Sequence, residues 1–439
     1  MTDQTNQELI LLKPIYKTYE DFPIEDLLLY AGIDCVVTSN LASKLSPTIH
    51  REPPYTYVEM VGGVKKKRLG TAMSIMDSYQ EYTSTALEFI LDLEINGFKY
   101  DVELHAVTKA RIENELARLE EQIFVGIGRT INLDSPKILS EFLYVEKGYE
   151  VKSKTKTGEP STDGDAIKET AKDHPEDSWL TLLAKRNDLS SIYNTFIATY
   201  IEDFVKADGR VHPRYNLHGT GSFRISGEEP NLTQLPRPKH GYNLRQFFTV
   251  EDGYCFIAAD YSSAEVKILG AISKDPNLLK AIADGLDFHS YSASEMYGIS
   301  YDEFVDVLGD ENHSLYRTYK SYRQNSKALT FSLLYGSSIP GIARAMGVSE
   351  EEAQRLMDLY FDNFPGIKEY VELTHDMARL NGYVIGEFGQ RKMTYGIYDC
   401  FRGTAVYNGA LRLSQNVRIQ NTTSSFGLEN FAKLNNEIN

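Results

Sequence analysis

A short apolar run at residues 254–260, with the sequence Tyr-Cys-Phe-Ile-Ala-Ala-Asp, restricts the possible folds more than any other feature. Such a run, ending in an acid, predicts a buried strand that carries the carboxylate of Asp260 to the edge of a sheet. The simpler interpretation is that Asp260 caps the helix that follows. Helical spacing of apolar residues dominates elsewhere, and it predicts helices at 164–205, 264–273, 276–284, 288–296, 316–335, 349–362 and 365–381. We therefore expect a mixed α/β fold that is mostly helical.

The remaining segments follow a coarser pattern, set by Gly, Pro and charged residues. The Lys/Arg run at 65–68 is typical of a solvated face, and the alternating lysines after Val151 are either solvated or aligned along a phosphate backbone. We predict a helix at 24–46 that ends before Pro47, a loop at 50–71, a helical hairpin at 74–96 and 101–124, a polar loop at 151–162, extended chain at 211–217 and 231–235, and a strand pair near 383–395.

Charge is distributed unevenly along the chain. The 439 residues carry a formal net charge of −16, which by itself argues against nucleic acid as a partner. Two segments reverse the sign, because residues 210–247 hold six Lys/Arg and two acids, and residues 316–344 hold five Lys/Arg and no acid. Phosphate binding needs a local positive surface rather than a positive total, so both segments are compatible with a phosphate-bearing partner.

Cysteine usage and hydropathy indicate the compartment. Cys35, Cys255 and Cys400 show no Cys-x-x-Cys spacing, which argues against a disulfide framework or a zinc ribbon and fits a reducing environment. No apolar stretch approaches the roughly 18 residues of a membrane span, and the polar start MTDQTNQEL is not a signal peptide. We expect a cytoplasmic protein with no membrane partner.

One predicted helix combines cations and aromatics in a regular row. Residues 323–336 have the sequence RQNSKALTFSLLYG, in which Arg323, Lys327 and Phe331 share one helix face, with Tyr335 near its end. Two cations followed by two aromatics suit a triphosphate whose base lies further along the helix. The alternative is a basic surface helix with a buried aromatic edge.

Together with residues 259–269 (ADYSSAEVKIL), this helix resembles motifs of the family A DNA polymerases, the class of bacterial DNA polymerase I and many phage replicases. The pattern DYSxxE is similar to motif A of that family, and RxxxKxxxFxxxYG is similar to motif B. Further matches occur in the family's order at 93–101 (LEINGFKYD), 132–137 (NLDSPK), 154–162 (KTKTGEPST), 222–232 (SFRISGEEPNL), 287–290 (DFHS), 360–366 (YFDNFPG) and 412–422 (RLSQNVRIQNT). The resemblance spans residues 24 to about 435.

The resemblance implies template-directed DNA synthesis, in which two Mg²⁺ ions assist the in-line attack of a primer 3′-hydroxyl on the α-phosphate of a dNTP. Asp260 would ligate both metals and the Tyr261 carbonyl one of them, and Lys327 would act on the leaving pyrophosphate as a second catalytic residue. The implied nucleotide-binding residues are Tyr261, Glu265, His289, Arg323, Lys327, Phe331 and Tyr335. The implied DNA-binding residues are Arg224, Asn231, Gln234, Arg412, Asn416, Gln420, Lys154 and Lys156.

The resemblance also implies a polymerase right hand with a remnant of a 3′→5′ exonuclease domain. The expected divisions are an exonuclease remnant and linker at 1–72, a thumb at 73–205, a palm with motif A at 206–275, fingers with motif B at 276–395, and a palm segment at 396–439. Within the remnant, Tyr30 and Asp34 are similar to the last YxxxD motif of such an exonuclease.

Two parts of the family's pattern are not found in this sequence. No His-Asp-Glu occurs, so the second catalytic Asp (motif C) has no counterpart, and no Asp-x-Glu strand precedes Tyr30. We therefore expect one piece of a split polymerase, completed by a polypeptide with the His-Asp-Glu strand and another with the exonuclease front, in a bacterial host cell if phage-encoded. The alternative is an inactive DNA-binding or scaffold subunit, or the remnant of an interrupted gene. A stand-alone nuclease is disfavoured, because one YxxxD motif cannot assemble a two-metal site.

The resemblance makes Phe331 a test of the motif B register. In this family a Tyr at that place supplies a hydroxyl that substitutes for a missing 3′-hydroxyl, and Phe has none. Phe331→Tyr should therefore raise incorporation of dideoxynucleotides sharply, with little effect on normal substrates, in a primer-extension assay of the assembled enzyme. Unchanged chain termination would show that the register is wrong.

Overall fold

The structure, a computed structural model, describes residues 24–49, 54–71, 74–155 and 157–438. The helices are α1 (Ile24–Ile49), α2 (Ile75–Ser78), α3 (Thr85–Asn96), α4 (Val102–Ile127), α5 (Pro136–Ser140), α6 (Gly164–Asp173), α7 (Ser178–Phe196), α8 (Tyr200–Phe204), α9 (Ala264–Ser273), α10 (Pro276–Ala283), α11 (Phe288–Tyr297), α12 (Tyr301–Gly309), α13 (Tyr316–Leu334), α14 (Ile339–Met346), α15 (Glu350–Asn363), α16 (Pro365–Asn381), α17 (Gly396–Asp399) and α18 (Ala405–Ile438). Wider π-helical turns follow α2 at Tyr79–Ser84 and α5 at Glu141–Glu146.

The strands are short and their pairs are antiparallel. They are β1 (Pro54–Val61), β2 (Val64–Thr71), β3 (Phe98–Tyr100), β4 (Arg210–Val211), β5 (Arg214–Asn216), β6 (Ser226–Glu228), β7 (Phe248–Thr249), β8 (Tyr383–Ile385) and β9 (Arg391–Met393). The sheets have the orders β1-β2, β4-β3-β7, β5-β6 and β8-β9. The expected mixed α/β, mostly helical fold is confirmed. In the described part of the chain, no helix is both long and apolar enough to cross a membrane.

The chain forms two compact units. Of the described residues, unit 1 comprises those up to Thr85 and Ser263–Asn430, and unit 2 comprises Ala86–Ser262 and those from Phe431 onward. Most of the predicted nucleotide-binding residues lie in unit 1, and Asp260 and Tyr261 lie in unit 2. Each unit has its own hydrophobic core, as expected for separately packed bodies.

The main core of unit 1 forms around α13. The buried side of α13 contributes Leu329 and Leu333, which belong to one apolar cluster with Tyr360 and Phe364 at the end of α15. Its opposite side keeps Lys327 exposed. Because apolar residues recur at helical spacing on one side only, α13 is fixed by its core face while its polar row stays accessible.

A buried carboxylate ties three helix ends of unit 1 together. Asp275, which is fully buried, ends the turn after α9 and caps α10 by accepting hydrogen bonds from the backbone N–H groups of Asn277 (3.0 Å) and Leu278 (2.9 Å). Its second oxygen accepts from the N–H of Gly366, in the first turn of α16, at 2.8 Å. The Pro365-Gly366 pair therefore begins α16 where the chain passes close to another backbone, a place that favours glycine.

Unit 2 has two apolar clusters. In the first, Leu180 and Leu183 of α7 pack with Ile123 of α4 and with Phe142. Next to it the buried guanidinium of Arg186 pairs with Glu120 and Asp134, each at 2.6 Å. The second cluster surrounds Tyr100 of β3 and includes Tyr200 and Phe247.

Three local predictions are wrong near the N-terminal part of unit 1 and in unit 2. Residues 54–71 form a hairpin rather than a loop, since Gly62 and Gly63 both have positive φ (58° and 77°) and make a two-residue turn between paired strands. Helix α1 continues through Pro47 to Ile49, because a proline near a helix end removes only one backbone hydrogen bond. Residues 232–234 form a 3₁₀ turn rather than extended chain.

The predicted buried strand at 254–260 is also wrong. These residues have no regular secondary structure and are exposed, and the side chain of Ile257 is 92% exposed. A strand needs a paired neighbour to satisfy its backbone N–H and C=O groups, and no described strand pairs with this segment. The strand pair near 383–395 is confirmed as β8-β9, and α12, α14 and α18 are additional helices.

The contact between Gly366 and Asp275 predicts a stability effect. A Cβ added at Gly366 would lie 2.7 Å from the Cα atom of Asp275, so the two backbones would have to separate. Gly366→Ala should lower the free energy of unfolding by about 1–3 kcal/mol, measured by urea denaturation. The control is Gly427→Ala in α18, where no atom lies within 4 Å of the new Cβ and alanine favours the helix by up to about 1 kcal/mol. Equal stabilities of the two variants would contradict the prediction.

Candidate functional site

The cationic and aromatic row predicted for 323–336 is present on α13. Arg323, Lys327 and Phe331 follow one another at intervals of four residues, and the Lys327 Nζ atom lies 5.9 Å from the centre of the Phe331 ring. The ring of Tyr335, directly after the helix, lies 5.8 Å from that of Phe331. The row is therefore a continuous strip of two positive charges and two rings along α13, and the Phe331 ring also packs against the edge of the main core.

The N-terminal end of α11 meets this row through Asp287. The carboxylate of Asp287 accepts hydrogen bonds from the N–H of Ser290 (2.9 Å) and from its hydroxyl (2.6 Å), which caps α11. The same carboxylate accepts two hydrogen bonds from Arg323, from Nε at 2.9 Å and from Nη2 at 3.0 Å. Burial opposes ionisation of this acid, but Arg323 and Ser290 together lower the pKa of Asp287 to about 2. Asp287 is therefore ionised and holds Arg323 in one orientation.

His289 lies beside the row and is almost fully buried, with 8% of its surface exposed. Its ring centre is 5.7 Å from that of Phe331, and its Nδ1 atom is buried without a hydrogen-bond partner among the described residues. Burial, with help from the charges of Arg323 and Lys327, lowers the pKa of His289 to about 4, against the opposing effect of Asp287. At neutral pH the imidazole is therefore uncharged.

Glu265 and Tyr335 are brought together at the other end of the row. Glu265 lies in the first turn of α9, and its carboxylate accepts a hydrogen bond from the Tyr335 hydroxyl at 3.2 Å. Gly336 has a φ of 67°, and a Cβ there would lie 2.7 Å from the Cα atom of Arg412 in α18. This close approach places Arg412 next to the end of α13.

The three predicted DNA-binding residues of α18 share one face. Arg412, Asn416 and Gln420 are spaced by four residues, and the neighbouring Gln415 donates a hydrogen bond from its side-chain amide to the Leu333 carbonyl of α13. Gln420 is buried, and the Oδ1 atom of Asn416 is buried without a hydrogen-bond partner in the described part of the chain. The contact through Gln415 fixes this face relative to α13.

The predicted metal ligands lie in unit 2, in the exposed segment described above. Asp260 is exposed, and Tyr261 is 49% exposed. Among residues 24–49, 54–71, 74–155 and 157–438, no group of three or more His, Cys, Asp and Glu side chains is placed to hold a metal ion. Asp260 supplies a single carboxylate, so the described residues do not by themselves fit a two-metal site.

The other predicted residues of unit 2 occupy exposed turns. Arg224 and Gln234 are exposed, and Asn231 caps the 3₁₀ turn by accepting hydrogen bonds from the N–H (3.1 Å) and the hydroxyl (2.6 Å) of Thr233. Lys154 is exposed in a turn that pairs with Pro160. Lys156 lies outside the described residues. The backbone of α1 includes Tyr30 and Asp34, whose side chains also lie outside the described part.

Sequence reasoning missed two residues that organise the site. Asp287 was matched only as part of the DFHS segment, although it is the partner of Arg323 and lies 36 positions away from it. Gln415, which joins α18 to α13, lies inside the 412–422 match without being singled out. A helix-capping signal, Asp287 followed by Ser290, was available in the sequence, but capping by itself does not identify a second partner.

Comparison with known proteins gives a consistent result. The sequence model of DNA polymerase family A matches residues 102–436. DNA polymerase I of Pseudomonas aeruginosa is 32% identical over 333 residues, covering 76% of this chain and 34% of that protein. The thermostable DNA polymerase I of Thermus aquaticus is 29% identical over 348 residues, covering 79% of this chain and 40% of that protein. The chain thus spans about a third of the length of the curated relatives it matches.

A solved structure is similar to the fold as well as to the sequence. The POL domain of Pol1 from M. smegmatis, in complex with DNA primer-template and dNTP, superimposes with a TM-score of 0.71 at 28% identity. The match covers 81% of this chain and 60% of that one. The similarity therefore includes most of the described elements rather than a single motif.

The buried imidazole of His289 predicts how the chain responds to acid. Its pKa in the folded state, about 4, lies below the value of roughly 6.5 expected for an unfolded chain, so the unfolded state binds more protons between these values. Protonation of His289 should therefore lower the free energy of unfolding by at most about 3 kcal/mol between pH 7 and pH 4. The His289→Gln variant should lack this contribution to the loss of stability in acid. Urea denaturation of both proteins at several pH values measures it.

Histidine-selective NMR provides the direct check. The resonance that disappears in His289→Gln should titrate near pH 4 in the parent chain. Other buried histidines, His105 and His375, also have lowered pKa values, so only the difference between parent and variant is informative. A midpoint near 6.5 for the assigned resonance would contradict the prediction.

Proposed function

The chain belongs to DNA polymerase family A, and on that premise we propose that it takes part in template-directed DNA synthesis, adding deoxynucleotides to the 3′ end of a primer. The observation that carries this proposal is the row of Arg323, Lys327, Phe331 and Tyr335, with His289 on one side and Glu265 at its end. Cations for a triphosphate and rings for a nucleoside occur there in the order in which a dNTP would need them. The M. smegmatis Pol1 structure holds primer-template and dNTP, which agrees with this assignment.

In the proposed complex, each side chain of the row has a separate role. Arg323 and Lys327 bind the triphosphate, and neutral His289 contributes a polar nitrogen from the side without adding charge. Phe331 and Tyr335 frame the base and sugar. Glu265, held by the Tyr335 hydroxyl, occupies the space of a 2′-hydroxyl and so favours deoxynucleotides.

The reaction is a phosphoryl transfer. The primer 3′-hydroxyl loses its proton to solvent and its oxygen forms a bond to the α-phosphorus. The bond from that phosphorus to the bridging oxygen breaks, and pyrophosphate leaves in line. Lys327 neutralises or protonates the leaving pyrophosphate. Positioning and charge stabilisation account for most of the catalysis in this class of reaction.

The duplex is held by polar residues that do not read base identity. Arg224, Asn231, Gln234, Arg412, Asn416 and Gln420 are proposed to contact the minor groove, and Lys154 and Lys156 the phosphate backbone. Minor-groove acceptors are nearly the same for every base pair, so such contacts suit an enzyme that copies any sequence.

The metal site is proposed to be shared with another polypeptide. Asp260 and the Tyr261 carbonyl would supply one set of oxygen ligands for Mg²⁺, and a polypeptide with a His-Asp-Glu strand would supply the second carboxylate. Support comes from the exposed segment 254–260, which carries Asp260, belongs to none of the described sheets, and leaves the rings and methyl groups of Phe256 and Ile257 in solvent. A strand from a partner would pair with this segment and cover those side chains.

A second polypeptide, with the exonuclease front, is proposed to bind α1. The described side chains Ile33, Val36, Val37, Leu41 and Leu45 of this helix are all exposed. An exposed apolar helix surface of this length is typical of an interaction site. Tyr30 and Asp34 lie on the same helix and would complete the exonuclease site of that partner.

The competing proposal is an inactive DNA-binding or scaffold subunit, or the remnant of an interrupted gene. It is favoured by one observation, that the described residues offer a single exposed carboxylate at the expected metal site. The two proposals differ in whether addition of the missing carboxylate restores synthesis.

Primer extension separates the two proposals. The purified chain alone should incorporate no nucleotide, and addition of a polypeptide that carries the His-Asp-Glu strand should start synthesis. In that mixture Asp260→Ala should lower the rate by at least about a hundred-fold, since metal-borne charge stabilisation is worth several kcal/mol, while primer-template binding stays unchanged. Asp252→Ala removes another exposed carboxylate of the same loop and should leave the rate unchanged. Extension by the chain alone would contradict the shared metal site, and a mixture without activity would favour the inactive subunit.

A further inference from the structure

Helix α13 begins two turns before the row that is proposed to bind the nucleotide. Its first residue is Tyr316, seven positions before Arg323, and seven residues make about two helical turns. Residues 316–322 (YRTYKSY), named here the α13 extension, carry two further cations, Arg317 and Lys320, and no acid. The proposed nucleotide site uses neither of these cations.

Lys320 continues the row of Arg323 and Lys327, whereas Arg317 does not. Successive residues of a helix are rotated by about 100°, so Lys320, Arg323 and Lys327 lie within about 60° of one another around α13. Arg317 lies about 80° or more away from Arg323 and Lys327 by the same geometry. Along the axis, Lys320 precedes Arg323 by about 4.5 Å, and Arg323 precedes Lys327 by about 6 Å. The three cations therefore form one line.

The α13 extension is anchored on its buried side by stacked rings. Tyr319 is buried and stacks on Phe304 of α12, with 5.0 Å between the ring centres. Tyr322 stacks on Tyr297, the last residue of α11, at 3.7 Å. Because these rings fix one side of the extension, its exposed side presents Lys320 from a rigid helix surface.

The ammonium group of Lys320 is charged and available to an anion. Its Nζ atom lies 4.9 Å from the centre of the Tyr316 ring and donates a hydrogen bond to the Tyr316 hydroxyl at 3.1 Å. This hydroxyl, with a smaller contribution from Glu311, raises the pKa of Lys320. Among the described residues the hydrogen-bond partner of Lys320 is thus a neutral hydroxyl, whereas Arg323 is already paired with Asp287.

We propose that Lys320 adds a fourth phosphate position to the site, so that Lys327, Arg323 and Lys320 together bind a linear chain of four phosphates. This rests on the proposed function, which places a triphosphate along Arg323 and Lys327. The ligand class is a polyphosphate that continues beyond the γ-phosphate, as in a nucleoside 5′-tetraphosphate or an inorganic polyphosphate. A line of cations suits such a polyanion, because each can donate charge-assisted hydrogen bonds to a different phosphate.

The test is competitive binding to the full chain at low ionic strength, with a fluorescent dATP analogue as reporter. The competitors are dATP, 2′-deoxyadenosine 5′-tetraphosphate and inorganic tetrapolyphosphate. The parent chain should bind the nucleoside tetraphosphate about five-fold more tightly than dATP, which is the upper size of effect for one exposed ion pair. This preference should shrink as salt is added, because exposed charges are screened.

Three variants show whether Lys320 causes the preference. Lys320→Gln removes the charge and should lower the affinity for the tetraphosphate about five-fold while the affinity for dATP stays unchanged. Lys320→Arg keeps the charge and should keep the preference. The matched control, Arg317→Gln, removes an exposed cation of the same turn that lies off the line, and it should also keep the preference. Each variant should unfold at the parent's temperature, which excludes an effect on the fold.

Inorganic tetrapolyphosphate distinguishes the two sources of a four-phosphate chain. It should bind more weakly than the nucleoside tetraphosphate, because only a nucleoside can contact the rings of Phe331 and Tyr335. It should nevertheless lose affinity in Lys320→Gln. Equal affinities of the two compounds, with the same loss in the variant, would support the site and assign it to free polyphosphate.

Three outcomes would overturn the inference and leave the proposed function intact. The first is equal affinity of the parent chain for dATP and the tetraphosphate. The second is the same loss of preference in Arg317→Gln as in Lys320→Gln, since the general field of the helix would then be responsible. The third is a weaker binding of primer-template in Lys320→Gln with the preference unchanged, which would assign Lys320 to a DNA phosphate. Failure of the parent chain to bind dATP would contradict the proposed function itself.

Discussion

The carboxylate of Asp287 is the group on which the arrangement of the proposed nucleotide site depends. Asp287 immediately precedes α11 and caps that helix by accepting hydrogen bonds from Ser290. The same carboxylate accepts two hydrogen bonds from Arg323 of α13. A bidentate pair between a planar guanidinium and a carboxylate fixes direction as well as distance. With Arg323 fixed, the N-terminal turn of α11 also places His289 against the Phe331 ring. One acid thereby sets the positions of a cation, a neutral imidazole and an aromatic ring.

Close approaches between backbones keep the helices of unit 1 in place around the Asp287 carboxylate. Gly366 lies against Asp275, and Gly336 lies against Arg412, at distances that leave no space for a side chain. Such contacts are short-range and directional, so the packing of α10, α16, α13 and α18 has little freedom to shift. The polar row on α13 is a consequence of this packing, because one side of the helix is fixed in the core and the other side remains open.

The electrostatic pattern is compatible with a phosphate-bearing partner despite the acidic total. The net charge is −16, while cations gather in segments that also carry rings. On α13 the pair of cations precedes two aromatics, and around α17 Arg391, Lys392 and Arg402 flank three exposed rings. The contrast with the Asp260 segment is clear, since that segment is apolar, exposed and without a paired strand. Its side chains have the composition of a buried strand and lack the neighbour that would bury them.

The sequence by itself determined the features that depend on local interactions. Helical periodicity located α13 and the other long helices, and four-residue spacing placed Arg323, Lys327 and Phe331 on one face, because a helix repeats every 3.6 residues wherever it lies. The order of the motifs established the family. Contacts between distant residues were decided only by the tertiary structure. The pairing of Asp287 with Arg323 and the contact of Gly336 with Arg412 join elements whose separation in sequence carries no spacing rule. The apolar run at 254–260 shows the same limit of sequence reasoning. A strand needs a neighbouring strand to pair its backbone groups, and an apolar run does not reveal whether such a neighbour is present.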